Sequence, residues 1–184
     1  IGYSPEEFAM ITIEKEGGFN NAKEVLNKLD LKTSNYHPIA VKTNSAGEKY
    51  SKILNKIFTN EYDFKDYDRA TNIYWPGNRL GHGREDVVKL WNSLKDILSE
   101  TKFKIEHVGY LDEPNRNPRA SIRWSLEGVH SEDSKDYGKK TNSRLNIIGI
   151  NHAELNQYGV IKEWVLFDEV AIWKQILMNK NLNE

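Results

Sequence analysis

The sequence predicts an α+β domain, in which a curved antiparallel sheet of about four to six strands carries three helices on its concave face. Two observations predict this class. Residues 84–100 carry an apolar stripe at helical spacing. Four segments in which apolar and polar residues alternate then follow, with no helical pattern between them, at 103–111, 119–130, 143–155 and 160–167. Helices segregated from such a run of strands are typical of α+β folds, and a curved sheet closed by helices forms a cone with a central pocket.

Local signals predict the remaining elements. A capping box formed by Ser4 and Glu7 predicts a short helix over residues 8–16. Further helices are expected at 21–29, 50–58 and 169–177, with a helical turn at 63–69 and a brief strand at 71–75. We therefore expect residues 1–46 to be an N-terminal arm or linker with short helices, and residues 47–184 to be the folded domain.

Composition limits the classes of function. The 184 residues suit one domain with an arm, and the net charge of -1 does not favour nucleic acid or a membrane surface as a partner. The chain has no cysteine, which excludes disulfides, zinc–thiolate sites and a cysteine nucleophile. No apolar run reaches the roughly 18 residues of a membrane span, and no signal peptide is recognisable. A cytoplasmic location is expected, and the first residue, Ile1 rather than Met, suggests either a shortened chain or the later part of a longer protein.

Counting alternate residues along the strands indicates which side chains face the pocket. In segment 119–130, Trp124, Leu126 and His130 share one face. The same counting along the last strand places Trp164 and Asp168 inward. The expected pocket lining is aromatic and aliphatic, consisting of Trp75, Trp124, Leu126, Trp164 and Leu166.

Three residues are candidates for catalysis. Asp168 lies between a strand and a helix, so it either caps that helix or, if buried beside tryptophans, acts as a general base. His130 either polarises a substrate oxygen or is a structural histidine. His152 lies in the pocket or on the outer face of the sheet, depending on the parity of segment 143–155. The five histidines show no metal-ligand spacing, so no metal is expected. No cofactor is expected either, because the carbonyl group of the substrate supplies the electron sink.

Residues from about 50 to 175 resemble the SnoaL-like polyketide cyclase group of the nuclear transport factor 2-like superfamily. The resembling segments are Tyr74–Gly77, Gly83–Glu85, Ile122–His130, Gly149–His152, Gly159–Asp168 and Ala171–Gln175. The resemblance implies a cone-shaped α+β fold, usually dimeric through the outer sheet face, and sometimes two such domains in tandem. In the cyclases an aspartate after the Glu-Trp segment is the acid/base group, and Asp168 matches it. The supporting histidine of that group falls near Glu154 or His152 in this chain.

Two functions are therefore expected. In the first, the domain binds a small apolar carbonyl compound and acts on it without a cofactor, as a cyclase, isomerase or hydrolase, with Asp168 moving a proton and His130 or His152 polarising the oxygen. In the alternative, the domain is a non-catalytic ligand-binding or dimerisation module.

Overall fold

The computed structural model describes residues 2–21 and 41–180, and the helix expected at 21–29 lies almost entirely outside them. The elements in chain order are α1 (Pro5–Lys15), α2 (Ala46–Phe58), a 3₁₀ turn (Phe64–Asp66), β1 (Tyr67–Trp75), β2 (Arg79–His82), α3 (Gly83–Lys95), β3 (Leu98–Leu111), β4 (Arg119–His130), β5 (Arg144–Asn156), β6 (Gly159–Phe167) and α4 (Glu169–Lys180). Within the described residues, no helix is long and apolar enough to cross a membrane.

The six strands form one sheet in the order β2-β1-β6-β5-β4-β3. The predicted α+β class is confirmed, and so are the antiparallel pairings from β3 to β6. Two features differ from expectation: residues 79–82 form an edge strand, and β1 pairs with β6 in parallel. Helices α2, α3 and α4 pack against the sheet, and α1 packs on α4.

The strand β3 begins five residues earlier than its alternation indicates. Ile97 and Leu98 continue the apolar stripe of the long helix, but α3 ends at Lys95. Glu100 has a positive φ of 51°, a conformation that interrupts both helix and strand. The periodicity of the stripe therefore overstates the length of the helix.

A bulge in β6 decides which of its side chains face the helices. Leu155 pairs with Val160 and Glu154 pairs with Lys162, so Ile161 is an extra residue in the ladder. One extra residue moves every later side chain to the opposite face. After the bulge, Glu163, Val165 and Phe167 point into the core, whereas Trp164 and Leu166 point outward.

Candidate functional site

The predicted site residues fall in four separate places. Trp75, Trp124 and Leu126 are buried on the concave side of the sheet. Trp164 and Leu166 are instead on the outer face, with 37% and 67% of their surface exposed. The prediction that Trp164 and Leu166 face the interior is wrong, because regular alternation through residues 160–166 ignores the bulge at Ile161.

His152 is also on the outer face, where its ring lies 5.4 Å from that of Trp164. Its strand, β5, turns Leu145, Ile147, Gly149, Asn151, Ala153 and Leu155 inward. Glu154 accepts a hydrogen bond from Asn117 on the outer side. The odd-numbered residues of β5 therefore face the core, and His152 and Glu154 face away from it.

Asp168 caps helix α4. Its side chain is exposed, and Oδ1 accepts the backbone N–H of Ala171 at 3.0 Å. This is the helix-capping alternative that the sequence left open. The geometry therefore does not bring Asp168 together with Trp124 or either candidate histidine.

His130 is fully buried at the end of β4, about 20 Å along the strand from Trp124 at the usual rise per residue. Its Nδ1 lies 3.2 Å from the hydroxyl of Thr141, which in turn lies 2.6 Å from that of Ser143. Burial lowers the pKa of His130 below its ordinary value, and the charge of Asp133 opposes that shift. His130 thus belongs to the β4–β5 hairpin end and is separate from the tryptophans.

The lowered pKa of His130 predicts a loss of stability in acid. The unfolded chain binds a proton near pH 6.5, whereas the folded chain does so only at lower pH, so the free energy of unfolding falls as pH drops from about 6.5 through the folded pKa. We expect His130→Gln to remove this part of the decline. Urea unfolding at pH 7.5 and 5.0 measures it, with His152→Gln as the matched control. An identical decline in His130→Gln and the native chain would contradict the assignment.

The chemistry on the concave side centres on Glu163, which the sequence did not single out. Its side chain is fully buried, and both carboxylate oxygens accept hydrogen bonds. Oε1 accepts from the Tyr50 hydroxyl at 2.5 Å and from Asn151 Nδ2 at 3.0 Å. Oε2 accepts from the Tyr67 hydroxyl at 3.0 Å and, at the weaker distance of 3.4 Å, from Trp91 Nε1. Four neutral donors from α2, β1, α3 and β5 therefore hold one carboxylate.

Asn151 connects this cluster to Trp124. The indole N–H of Trp124 donates to Asn151 Oδ1 at 2.7 Å, and an indole N–H can only donate. The amide nitrogen of Asn151 must therefore face the other way, where it donates to the Tyr50 hydroxyl at 2.8 Å and to Glu163. We call Glu163, Tyr50, Tyr67, Trp91, Trp124 and Asn151 the Glu163 cluster.

Burial shifts the proton affinity of the cluster. It raises the pKa of Glu163 above its ordinary value, against the opposing effect of the four donors. Burial, followed by the charge of Glu163, raises the pKa of Tyr50 and Tyr67 well above the ordinary value for tyrosine. Glu163 is thus the titratable member of the cluster, and the tyrosines remain hydrogen-bond donors.

Aromatic rings fill the space around the Glu163 cluster. Trp91 lies edge-on to Trp75 at 5.0 Å between ring centroids and to Phe58 at 5.6 Å. Trp124 lies 6.0 Å from Phe103 and 6.3 Å from Phe167. The Glu163 cluster is thus enclosed by aromatic side chains of the described residues. Within the described residues, no group of three or more His, Asp or Glu side chains converges as a metal site would.

Two signals in the sequence could have indicated the cluster. Asn151 is the polar member of an otherwise apolar or small alternating set in β5. Tyr50 lies on the apolar stripe of α2, where its hydroxyl needs a buried partner. Glu163 itself gave no signal, because only the bulge turns it inward.

Comparisons with known proteins agree on the fold. No protein-family model and no curated protein matches the sequence. Among solved structures, a provisionally assigned SnoaL-like polyketide cyclase from Shewanella putrefaciens CN-32 is 14% identical, with a TM-score of 0.55 over 71% of this chain and 84% of that one. The provisionally assigned polyketide cyclase IdmH from Streptomyces antibioticus is 12% identical, with a TM-score of 0.56 over 70% and 96%.

An LEH-like epoxide hydrolase from M. tuberculosis is 12% identical, with a TM-score of 0.53 over 72% of this chain and 90% of that one. At these identities the likeness concerns the fold alone. This chain has the cone-shaped α+β fold of the SnoaL-like polyketide cyclases.

Proposed function

We propose that the domain binds a small apolar organic molecule on the concave side of the sheet, and that Glu163 transfers protons to and from it. The observation that carries the proposal is a fully buried carboxylate with a raised pKa, held by four donors in an aromatic surrounding. A carboxyl group whose pKa lies closer to neutrality is a more effective general acid or base at physiological pH.

The chemistry that suits this arrangement is proton transfer next to a carbonyl group. Glu163 takes the proton as the C–H bond breaks, and the electron pair of that bond passes into the carbonyl to form an enolate. The Tyr50 hydroxyl and the Asn151 amide are the donors beside Glu163 that can turn to the enolate oxygen. The proton then returns from Glu163 to another carbon, or the enolate closes a ring by attacking a second carbonyl, whose oxygen takes the electron pair and then the proton from Glu163. No cofactor is needed for either outcome.

The proposal transfers the acid/base role from Asp168 to Glu163. Asp168 is exposed and engaged with the first turn of α4, so it lacks the burial that the role requires. His130 and His152 lie at the hairpin end and on the outer face, and neither contacts the Glu163 cluster through a hydrogen bond. In this proposal Tyr50 and Asn151 do what a supporting histidine was expected to do.

Phe58 and Phe103 are the proposed access route to the cluster. They stack at 4.1 Å and are only partly buried, unlike the tryptophans behind them. Phe58 touches both Trp91 and Trp124, which bond to Glu163 and Asn151. A ligand that displaces the Phe58 ring would thus meet the two indoles and then the polar groups.

Deuterium exchange tests the proposed chemistry directly. We expect the protein to accelerate exchange of the α-protons of 2-tetralone, an apolar ketone, in D₂O, as followed by ¹H NMR. Glu163→Gln should reduce the enzymatic part of the rate by roughly 10²–10⁴-fold, the usual contribution of a general base. Asp168→Asn is the matched control, because it also turns a carboxylate into an amide, and it should retain the activity.

Either of two results would remove Glu163 from the proposal. The first is an exchange rate with native protein equal to that of buffer. The second is a loss of activity in Asp168→Asn with activity kept in Glu163→Gln. The first result would favour the non-catalytic module, and the second would return the role to Asp168.

We also propose that two copies of the chain pair through the outer face of the sheet. Large apolar side chains are exposed there on neighbouring strands: Tyr74, Ile148, Ile150, Trp164 and Leu166. Trp164 stacks on Tyr74 at 5.4 Å, and Leu166 lies beside Ile150 in the ladder, so the patch is continuous. A continuous apolar patch of this kind is typical of an interface, and a two-fold axis through it would bring the same patch of each copy together.

Ile150→Glu tests the pairing. Ile150 lies within the patch beside Leu166, and a carboxylate placed there loses its hydration against the apolar side chains of a second copy, which opposes association. We expect the native chain to scatter light as a dimer and Ile150→Glu as a monomer. Phe8→Glu is the control, because Phe8 and Ile150 have the same exposed fraction, 46%, but Phe8 lies on α1. A monomeric native chain at high concentration would contradict the proposal.

A further inference from the structure

A second polar site lies on the surface, beside the start of β1. A cleft of about 780 Å³ lies between the 3₁₀ turn, β1, the first turn of α3 and the β5–β6 turn. Its lining comprises Lys65, Asp68, Arg69, Arg84, Gln157, Tyr158 and Gly159. We propose that this cleft binds a small organic molecule carrying a phosphate or carboxylate group next to a planar ring.

Three cations from three different elements face one acid in this cleft. Lys65, Arg69 and Arg84 form no ion pair with an acidic side chain among the residues that the structure describes. Elsewhere in the described residues, Lys56, Arg79 and Lys174 are each paired with a carboxylate at 3.0 Å or less. Cations gathered in a cleft without a carboxylate partner favour an anionic ligand.

Arg84 is held in position for this role. Its Nε donates to the backbone carbonyl of Tyr67 at 2.6 Å, which fixes the plane of the guanidinium group. The two terminal nitrogens keep their N–H groups for a ligand. A guanidinium fixed in this way can donate two parallel hydrogen bonds to the oxygens of a phosphate or carboxylate.

The one acid of the cleft is already engaged. Asp68 Oδ1 accepts the backbone N–H of Ala70, and Oδ2 accepts Asn156 Nδ2, each at 2.8 Å. Hydrogen bonds from Asn156 and Ala70, and more weakly the charge of Arg84, lower the pKa of Asp68, so it keeps its charge while its oxygens are bonded to Asn156 and Ala70. The lining as a whole therefore remains positively charged.

The β5–β6 turn supplies an aromatic wall. Asn156 ties this turn to β1, since it donates to Asp68 and accepts the backbone N–H of Tyr158 at 2.7 Å. Gly159 has a φ of 118°, and a Cβ there would lie within 2.4 Å of the Asp66 carbonyl oxygen, so the turn rests directly on the 3₁₀ turn. Tyr158 is 64% exposed at the cleft and can stack on a flat organic group. Because stacking on Tyr158 is available only to a ligand with a planar ring, the cleft favours an organic anion over an inorganic one.

The inference does not depend on proton transfer by Glu163, and ligand titrations test it separately. ¹H–¹⁵N NMR of the full chain would be recorded with phenyl phosphate, benzoate and benzyl alcohol as probes. We expect saturable shifts centred on the amides of Lys65, Arg69, Arg84 and Gly159 with one or both anions, and none with the alcohol. The anion that binds more tightly shows whether phosphate or carboxylate is the preferred group. Added NaCl should weaken the binding.

Substitutions distinguish the cleft from unspecific binding. Arg84→Gln should weaken binding at least about tenfold, equivalent to ~1.4 kcal/mol. Arg144→Gln, at the opposite end of β5 from the β5–β6 turn, should bind as the native chain does. The double variant Lys65→Gln with Arg69→Gln covers the case in which loss of the Arg84–Tyr67 bond disturbs folding. Binding that is unchanged in both cleft variants, or equal binding of benzyl alcohol, would overturn the proposal.

Discussion

Replacing Glu163 by alanine is expected to lower the free energy of unfolding by about 4 kcal/mol, because it leaves buried donors without an acceptor and opens a cavity. Tyr50, Tyr67 and Asn151 would each lose a hydrogen bond to a carboxylate oxygen. Removal of the buried charge offsets part of this loss. Urea denaturation at pH 7 measures the change.

Glu127→Ala is the matched control for this substitution. Glu127 is in strand β4 of the same sheet, but it points outward and is exposed, so its loss should cost less than about 0.5 kcal/mol. Equal effects of the two substitutions would mean that the carboxylate of Glu163 does not organise the interior.

Gly149→Ala is expected to destabilise the domain by about 3 kcal/mol or more. A Cβ at this position would lie 2.1 Å from Cζ2 of Trp124, far inside van der Waals contact. The indole cannot simply move aside, because its N–H is bonded to Asn151 and its ring packs against Phe103 and Phe167. Overpacking of a close-packed core typically costs 1–3 kcal/mol, and here the added carbon meets a ring that is held at one end.

Gly109→Ala is the control for Gly149→Ala, since both glycines lie within strands of the same sheet. The nearest atom to a Cβ at Gly109 is the Ser121 carbonyl oxygen at 3.9 Å, an ordinary contact. We expect its free energy of unfolding to stay within about 1 kcal/mol of the native value. A Gly149→Ala variant as stable as Gly109→Ala would show that the Trp124 ring is not fixed where the structure has it.

The fold was predictable because its signals are local and repeated. The alternation of Ala120, Ile122, Trp124 and Leu126 correctly places one face of β4 in the core, and adjacent strands with such faces pair as hairpins. The parallel pairing of β1 with β6 joins segments about ninety residues apart. Nothing local in either segment encodes that partnership, so the sequence could not predict it.

The candidate site was predictable only in part, and the bulge at Ile161 explains why. Period-2 counting gave the correct inward face for Trp124 and the opposite of the correct face for Trp164. A single extra residue exchanged an exposed tryptophan for a buried glutamate on the inner face of β6. Bulges depend on the pairing of two strands, which is a property of the assembled sheet.

The direction of the pKa shift of Glu163 is central to the proposed chemistry and also affects stability. Because its pKa is raised in the folded state, folding favours the protonated form. This contribution to the free energy of unfolding is complete below the ordinary value of 4.5 and is lost as pH rises through the folded pKa. The stability contributed by Glu163 therefore falls as pH rises, whereas the stability contributed by His130 falls as pH drops.

A ¹³C NMR titration of the glutamate side-chain carboxyl carbons tests the assignment of Glu163 most directly. The Glu163 resonance would be identified by its absence from the Glu163→Gln spectrum. A buried proton-transfer group predicts a midpoint above 4.5, with exposed glutamates of the same chain as the internal reference. A midpoint at or below 4.5 would mean that the four donors outweigh burial, and it would contradict the proposed acid/base role of Glu163.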